Sequence, residues 1–559
     1  MIKLETQHNA VNHVSKLLQS VETNRQQRII RYNKARNLYL NKIENPYYQR
    51  RGRINLPIIL ESIQILLPYL MQLILRYDWF SLTKGGDIDE ITRKNEDLIK
   101  AQLRGGGFRQ VFKQTMLDLL IQGTAVGRIF WNYDENARID RPQLERVNPL
   151  DFFIDPTANS IDEATWVAER KNVAVDNLDP SIYFNLDTVK GIAVMEAKDE
   201  YNQTRNEITL PTKNIDIVEF RGLYSPKEGI KPKFYNITVA GDMQQKHTLI
   251  RFEEMVFPFL PYVGVSYMED LDDNFFGLSL PKITESLAME LSAKRQQTID
   301  LMTRILRHQW LRNRNANIDK SQLNDEPNQV IDTDDMAGII PLVPSIAGLQ
   351  VGLLDSENVK EDIRSLTGAT RALAGKPLGQ RATLGEAQQD LAQGENRLII
   401  LQTKIEDEFL EPLVRKFLAL NRKYLFTEQV LDTRNGIYET IKPNEILNFP
   451  NIIINIGTLK TVSDQRRLLE LHQLLISDPN AASLINMREF YRRLLESLNI
   501  RDIDELLNLS PEQAQQQLAL ATLKQNNQQM PIGMQKAREE MGGGAFPQSA
   551  VDFNSMYSR

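Results

Sequence analysis

The sequence predicts an α+β protein in which helical regions flank a β-rich one. Three observations carry this. Helical spacing of apolar residues dominates over residues 9–104 and again from Leu280 onward. Short β-branched and aromatic runs bounded by turn residues concentrate between Gly127 and Val265. After the run FFGLSLP, the apolar period changes from two residues to about 3.6. At 559 residues the chain exceeds one ordinary domain, and usual domain sizes suggest roughly three to four packing units.

Within the N-terminal helical region, residues 25–48 are basic and aromatic, with Arg25, Arg28, Arg31, Lys34 and Arg36 among Tyr32, Tyr39, Tyr47 and Tyr48. Two readings fit: binding of nucleic acid by charge and stacking, or a helix with a solvated cationic face and inward tyrosines. The most apolar run, ILLPYLMQLIL (residues 65–75), is too short to span a bilayer and contains Pro68. A buried helix is expected there, with membrane contact as the other reading. A helix over residues 108–122 should end at Gly123. Strands are expected at GRIFWNY, TWVAERKNVAV, IDIVEFRGLY and KFYNITVAG.

A long helix follows over residues 280–314, with Ile283, Leu287, Leu291, Met302, Leu306 and Trp310 on one side. It carries seven Lys or Arg against three acidic residues. Residues 316–350 reverse that sign, with Asp319, Asp325, Glu326, Asp332, Asp334 and Asp335 against Lys320 alone. A compact α/β insertion at the tip of a helical hairpin accounts for both shifts. Helix resumes near Ser356 and is broken by ALAGKPLGQRATLGEAQQDL (residues 372–391), where Gly375, Pro377 and Gly379 stand beside Lys376 and Arg381. The next helix carries the stripe Leu391, Leu398, Ile405, Phe409, Leu413, Phe417, Leu420 and Tyr424, and Pro412 should kink it. A strand, NIIINIG, precedes helices at 464–476 and 487–498. From Pro511 the chain is glutamine-rich, and its end is expected to be disordered when alone.

Composition excludes several chemistries. There are no cysteines, hence no disulfides, thiolate metal sites or cysteine nucleophile, which fits assembly in a reducing cytoplasm. The five histidines form no HExxH. The Gly375-Lys376 pair fails as a phosphate-binding loop, because Pro377 follows it and position 370 is Thr. Gly105 to Gly107 and Gly542 to Gly544 lack strand-to-helix signals and read as flexible turns. No enzyme activity, metal or cofactor is expected. The N-terminus has no apolar core after its charges, so no signal peptide is expected. A net charge of −6 means that any nucleic-acid function rests on local charge.

This order of parts resembles the portal proteins of tailed bacteriophages, of the short-tailed type. VNPLDFFIDPTANSIDEATWVAER (residues 147–170) is similar to a family segment in which a strand ends in an Asp-Pro turn and a tryptophan follows on the next strand. LIQGTAVGRIFWNY (residues 120–133) resembles the family's glycine-bearing turn from helix to strand. NFFGLSLP and RATLGEAQ also resemble family positions, although many relatives have a tighter Thr-Ala-Thr-Glu run where this chain has residues 381–386. The resemblance covers roughly residues 24–509.

The resemblance implies a portal fold: a mixed α/β wing (1–278), a long stem helix (279–315), a small α/β clip (316–355) and a second stem helix (356–372). A tunnel loop (373–382), a long kinked wing helix (383–424), wing return strands (425–462), a helical crown (463–510) and a glutamine-rich tail (511–559) complete it. It further implies a ring, typically of twelve subunits, at one capsid vertex of a virion assembled in the host cytoplasm. Double-stranded DNA would be packaged and ejected through the channel without sequence preference. Arg371, Lys376, Gln380 and Arg381 would line the channel. Asp319, Asp325, Asp332, Asp334 and Asp335 of the clip would dock the terminase motor and then tail adaptors, while the ring also meets the major capsid protein; no membrane is involved. The alternatives are a capsid scaffold or tail adaptor that does not handle DNA, and a nucleic-acid-processing enzyme such as a nuclease or packaging ATPase.

Overall fold

The computed structural model describes residues 4–42, 55–72, 74, 79–83, 90–135, 139–192, 194–197, 208–226, 231–241, 247–306, 309–313, 338–342, 347–371, 373, 394, 398–432, 438–447 and 450–454. Beyond these it describes 471, 472, 490, 491 and 494. The chain divides into two units, Met1–Thr458 and Leu459–Arg559. In the second, the described residues are helical, and His472 stacks on Phe490 with its Nε2 3.3 Å from the Tyr491 hydroxyl. All further elements belong to the first unit.

Helix α1 (Leu4–Tyr39) forms because Ala10, Val14, Leu18 and Val21 recur at three- and four-residue spacing. That stripe is buried against Phe153, Trp166, Val218, Phe220, Ile237 and Val239, one face of the larger sheet. Helix α2 (Ile58–Gln72) contains Pro68 and buries Ile58, Ile59, Ile63, Leu66 and Leu70, as expected of a core helix. Among the described residues no helix is long and apolar enough to cross a membrane. Strand β1 (Phe80–Thr83) and helices α3 (Glu90–Gly105) and α4 (Phe108–Gln122) follow.

The strands build two principal antiparallel sheets. In the smaller, β2 (Thr124–Asp134) lies between β3 (Ile139–Val147) and β10 (Tyr262–Ser266). In the larger, the order is β4 (Phe152–Ile154), β5 (Trp166–Ala174), β7 (Ile208–Tyr224), β8 (Lys233–Ala240) and β9 (Thr248–Glu254). Helix α5 (Leu186–Ile192) leads into β6 (Val194–Ala197), which pairs with β7. All four runs read as strands form strands: GRIFWNY and IDIVEFRGLY lie wholly within β2 and β7, and the other two form β5 and β8 except for the end residues Thr165, Val175 and Gly241. The Asp-Pro turn also forms where expected: β4 ends at Ile154, Trp166 opens β5, and the two strands pair. Asp155 accepts hydrogen bonds from the Thr157 amide (3.0 Å) and hydroxyl (2.7 Å) and from the Thr165 hydroxyl. Burial pushes its pKa up, but these hydrogen bonds outweigh burial and hold it below the usual carboxylate range.

A buried ionic cluster ties the two sheets together. Arg221 on β7 donates to the Tyr262 hydroxyl on β10 and to Glu219 at 2.7 Å. The Tyr262 hydroxyl donates to Glu169 of β5 at 2.9 Å, and Arg128 of β2 bridges Glu219 at 3.2 Å and Glu145 of β3. Lys171 stands 3.3 Å from Glu169 and 3.5 Å from Glu219. The two buried carboxylates, Glu169 and Glu219, therefore each face more than one cation, as burial of charge requires.

After β11 (Met268–Asp270) and β12 (Asp273–Leu278), helix α6 (Leu280–Leu306) begins. It ends eight residues before the sequence expectation. Residues 309–312 instead form β13 (Gln309–Arg312), paired antiparallel with β14 (Ile339–Leu342). The run GIIPL supplies a β-branched partner strand, and this pairing overrides the apolar spacing that carried the helix through Trp310. Helix α7 (Ala347–Thr367) starts nine residues earlier than expected. Its first turns hold Gly348 and Gly352, poor helix formers in isolation. Both lie against α6, where a Cβ would meet Leu301 at 3.9 Å and Thr298 Oγ1 at 3.7 Å.

The helical residues 398–405 pass through a π turn, Glu406–Leu410, into α8 (Glu411–Tyr424). Pro412 sits in the first turn of α8, and the expected irregularity appears as this π turn. Leu398, Ile405, Phe409, Leu413, Phe417 and Leu420 are buried along it. Strands β15 (Gln429–Asp432) and β16 (Tyr438–Ile441) pair as a hairpin, and β17 (Asn451–Ile454) returns to pair with β1.

Candidate functional site

The α6–α7 hairpin and the turn beyond it position the residues expected to meet DNA. Ser279 caps α6, its hydroxyl accepting from the Lys282 amide at 3.3 Å. Lys294 of α6 bridges Asp355 of α7 at 2.5 Å and Glu290 at 2.6 Å. Those bonds, Asp355 first, raise the ammonium pKa. Arg364 holds α7 to α2 through Glu61 at 3.6 Å. Helix α7 stops at Thr367, whose hydroxyl donates to the Ile363 carbonyl at 2.9 Å, and Gly368 follows in the left-handed region at φ +75°.

Immediately beyond, the Thr370 amide donates to the Gly368 carbonyl at 2.9 Å. Gly394 packs against this turn: a Cβ on it would meet Thr370 Cγ2 at 2.9 Å and the Gly368 carbonyl at 3.1 Å. The same Cβ would meet Leu373 Cδ1 at 3.1 Å, so Leu373 and Gly394 meet at one place. Arg371, at the base, is the only expected channel residue among those described. Its Nε donates to Glu361 at 2.5 Å, and its guanidinium lies 3.7 Å from Glu357. Hydrogen bonding from Lys360, with the charges of Arg371 and Arg364, lowers the Glu357 pKa against the opposing effect of burial. Arg371 is therefore an anchored, charge-paired group. Lys376, Gln380 and Arg381 lie outside the described residues, as do Asp319, Asp325, Asp332, Asp334 and Asp335.

In the basic stretch of α1, three of the five cations pack onto the protein itself, while Tyr47 and Tyr48 lie outside the described residues. Arg25 is buried, donating to the Leu150 carbonyl at 2.9 Å and to Glu22 at 3.1 Å. The Arg28 guanidinium sits 3.7 Å from the Phe276 ring centroid and 3.3 Å from Asp273, and Arg31 pairs with Asp270 at 2.6 Å. These three cations serve the protein's own packing, clamping α1 to the β11–β12 hairpin and the turn before β4. Lys34, farther along the helix, is exposed. The signal was in the spacing: Arg25 and Arg28 continue the stripe Ala10, Val14, Leu18, Val21.

The helix-to-strand turn at Gly123 places α6. Gly123 follows α4 at φ +86°, its carbonyl accepts from the Tyr267 amide at 2.8 Å, and the Gly277 amide donates to the Thr124 hydroxyl at 3.0 Å. Two glycine-bearing segments more than a hundred residues apart thus meet where the long helix begins. Both fall in runs that resemble portal sequences.

The family model of the phage SU10 portal protein matches residues 132–540, more than half of the chain. The chain belongs to this portal family. No curated protein matches it. Portal proteins are structural connectors rather than enzymes, and the family forms ring oligomers that link capsid, packaging motor and tail. The mixed α/β architecture of this portal chain is consistent with that membership, and the family places it at the capsid vertex of a phage virion.

Proposed function

We propose that the chain closes into a ring, of about twelve copies by family analogy, at one capsid vertex. Double-stranded DNA passes through its channel during packaging and ejection. The observation that carries this reading, beside the family match, is the antiparallel α6–α7 hairpin followed by a turn at which residues 368–373 and Gly394 meet. This meeting point supports the reading of a tunnel loop held between two helices. Lys376 and Arg381, with Gln380 and the anchored Arg371 at the base, would present polar and cationic rings to phosphates. Such contacts carry no sequence information, as passage of a whole genome requires. In this reading α6 and α7 are the stem and the sheets belong to the wing. The acidic stretch holding Asp319, Asp325, Asp332, Asp334 and Asp335 is the clip that docks the motor and later the tail adaptors.

The test is to change Lys376 and Arg381 to Ser, confirm by native mass that rings still form, and measure packaging and retention of full-length DNA. Both should fall; normal values for both would remove the loop's charge from DNA transit. Changing Asp332, Asp334 and Asp335 together to Asn should leave the ring intact. It should weaken motor binding on the order of tenfold at low ionic strength and less at high salt. Unchanged affinity would dismiss the acidic docking surface. End-on electron micrographs decide against a scaffold or adaptor role if they show a ring with an open axial channel.

A further inference from the structure

The far end of the α6–α7 hairpin carries apolar side chains that are exposed among the described residues. Along α6, the stripe Leu280, Thr284, Ala288, Leu291 and Thr298 is buried under neighbouring helices. The same spacing continues to Met302 and Leu306, which are 38% and 75% exposed. Just beyond, Leu311 and Ile340 stand opposite one another across the β13–β14 ribbon, 54% and 57% exposed. On α7, Val351 and Leu354 share a face at 66% and 68% exposure. Side chains of this size, grouped in this way, mark an interaction surface more often than a solvated one.

Their directions follow from the helix repeat. The two helices meet where Lys294 bridges Asp355, Gly352 faces Thr298 and Gly348 faces Leu301, which fixes the inner line of each. At roughly 100° per residue, Met302 and Leu306 lie about a quarter to a third of a turn to one side of that line on α6. Val351 and Leu354 lie about as far from it on α7, and because the helices are antiparallel, the two groups emerge on opposite faces of the hairpin.

From this we infer that the occupant of each patch is a neighbouring copy of the same chain, with the Met302–Leu306 face of one hairpin seated on the Val351–Leu354 face of the next. Unlike patches on opposite faces cannot pair across a twofold axis. They pair head to tail, and a head-to-tail contact either closes into a ring or propagates. This rests on the ring reading above and adds the surface that makes the ring.

The chain has no cysteine, so engineered thiols report without background. The full-length double variant Met302→Cys/Val351→Cys, treated with a short thiol-specific bifunctional cross-linker, should give a denaturing-gel ladder extending past dimer. Each single variant should stop at monomer or dimer. A double variant that stops at monomer or dimer, in a sample whose native mass shows rings, overturns this interface and leaves the ring standing. A parent chain that is monomeric at every salt concentration overturns both. The independent variant Leu306→Glu/Leu354→Glu alters only exposed positions, so its fold should persist while rings are lost at concentrations where the parent is closed. Ring assembly unchanged in that variant also overturns the interface.

Discussion

Replacing Arg221 by Ala should cost about 3–5 kcal/mol of folding stability, because it takes from buried partners the guanidinium that hydrogen-bonds both of them. Arg221 donates both to the Tyr262 hydroxyl and to Glu219, and Tyr262 in turn donates to Glu169. Removing the guanidinium leaves a carboxylate and a phenol between the two sheets with fewer partners and no access to water. The urea midpoint of the full chain is the measurement. Lys233→Ala is the control: its ion pair with Glu254 is exposed at 2.7 Å, and it should leave the midpoint in place. Equal effects from the two variants would show that the cluster does not join the sheets.

The same cluster sets an acid limit. Burial pushes the Glu219 carboxyl up, but Arg221, Lys171 and Arg128 outweigh it and hold the pKa at about 2, against an ordinary value of 4.5. A carboxylate depressed in this way contributes its full stabilisation above the unfolded value, and the contribution is lost as pH falls through the folded one. The window is therefore about pH 4.5 down to 2, within which the unfolded chain takes up the proton first. Over the upper part of that window, Arg221→Ala should flatten the pH dependence of stability by up to about 1.4 kcal/mol per pH unit. A slope identical to the parent's would mean that Arg221 is not what depresses Glu219.

How much of this was legible in the sequence depended on how local the physics was. The end of α4 at Gly123 and the Asp155–Pro156 turn were readable because each is settled within a few residues by backbone conformation and hydrogen bonding. The ends of α6 and α7 were not. A partner strand some thirty residues away converts residues 309–312 from helix to ribbon, and glycines that weaken an isolated helix are accommodated by packing on α6. The role of Arg25 follows from position rather than residue type: it stands on the buried stripe, and burial of an arginine needs acceptors that only the tertiary fold supplies. Glu219 and Arg221 alternate with Val218 and Phe220, which reads as an ordinary strand with one polar face. Nothing in that pattern says that the polar face is covered by a second sheet. Of the expected channel residues, Arg371 alone could be placed, and its pairing with Glu361 rests on a turn back onto its own helix that charge counting does not reveal.

Gly123→Ala should be severely damaging for a single added methyl, at about 3–5 kcal/mol, from strained backbone plus overpacking. Two penalties coincide there. Its φ of +86° lies in the region that disfavours a side chain, and a Cβ would fall 2.7 Å from Leu278 C and 2.8 Å from Ser279 N, with the Gly277 carbonyl closer still. All three obstacles are backbone, so no rotamer change relieves them. Gly107 separates the two penalties: it has φ +69° but nothing within 4 Å of its would-be Cβ, so Gly107→Ala should cost only the conformational part, about 1–2 kcal/mol. The difference between the two variants measures the approach of the α4–β2 turn to the segment that launches α6. Because Tyr267 and Gly277 also hydrogen-bond across this junction, the strain should reach the hairpin. In the ring, Gly123→Ala should lower the temperature at which native mass shows dissociation, and Gly107→Ala should leave it near the parent value. If the two variants unfold at the same urea concentration, the close packing at the root of α6 contributes nothing, and the hairpin is held by its helix–helix contacts alone.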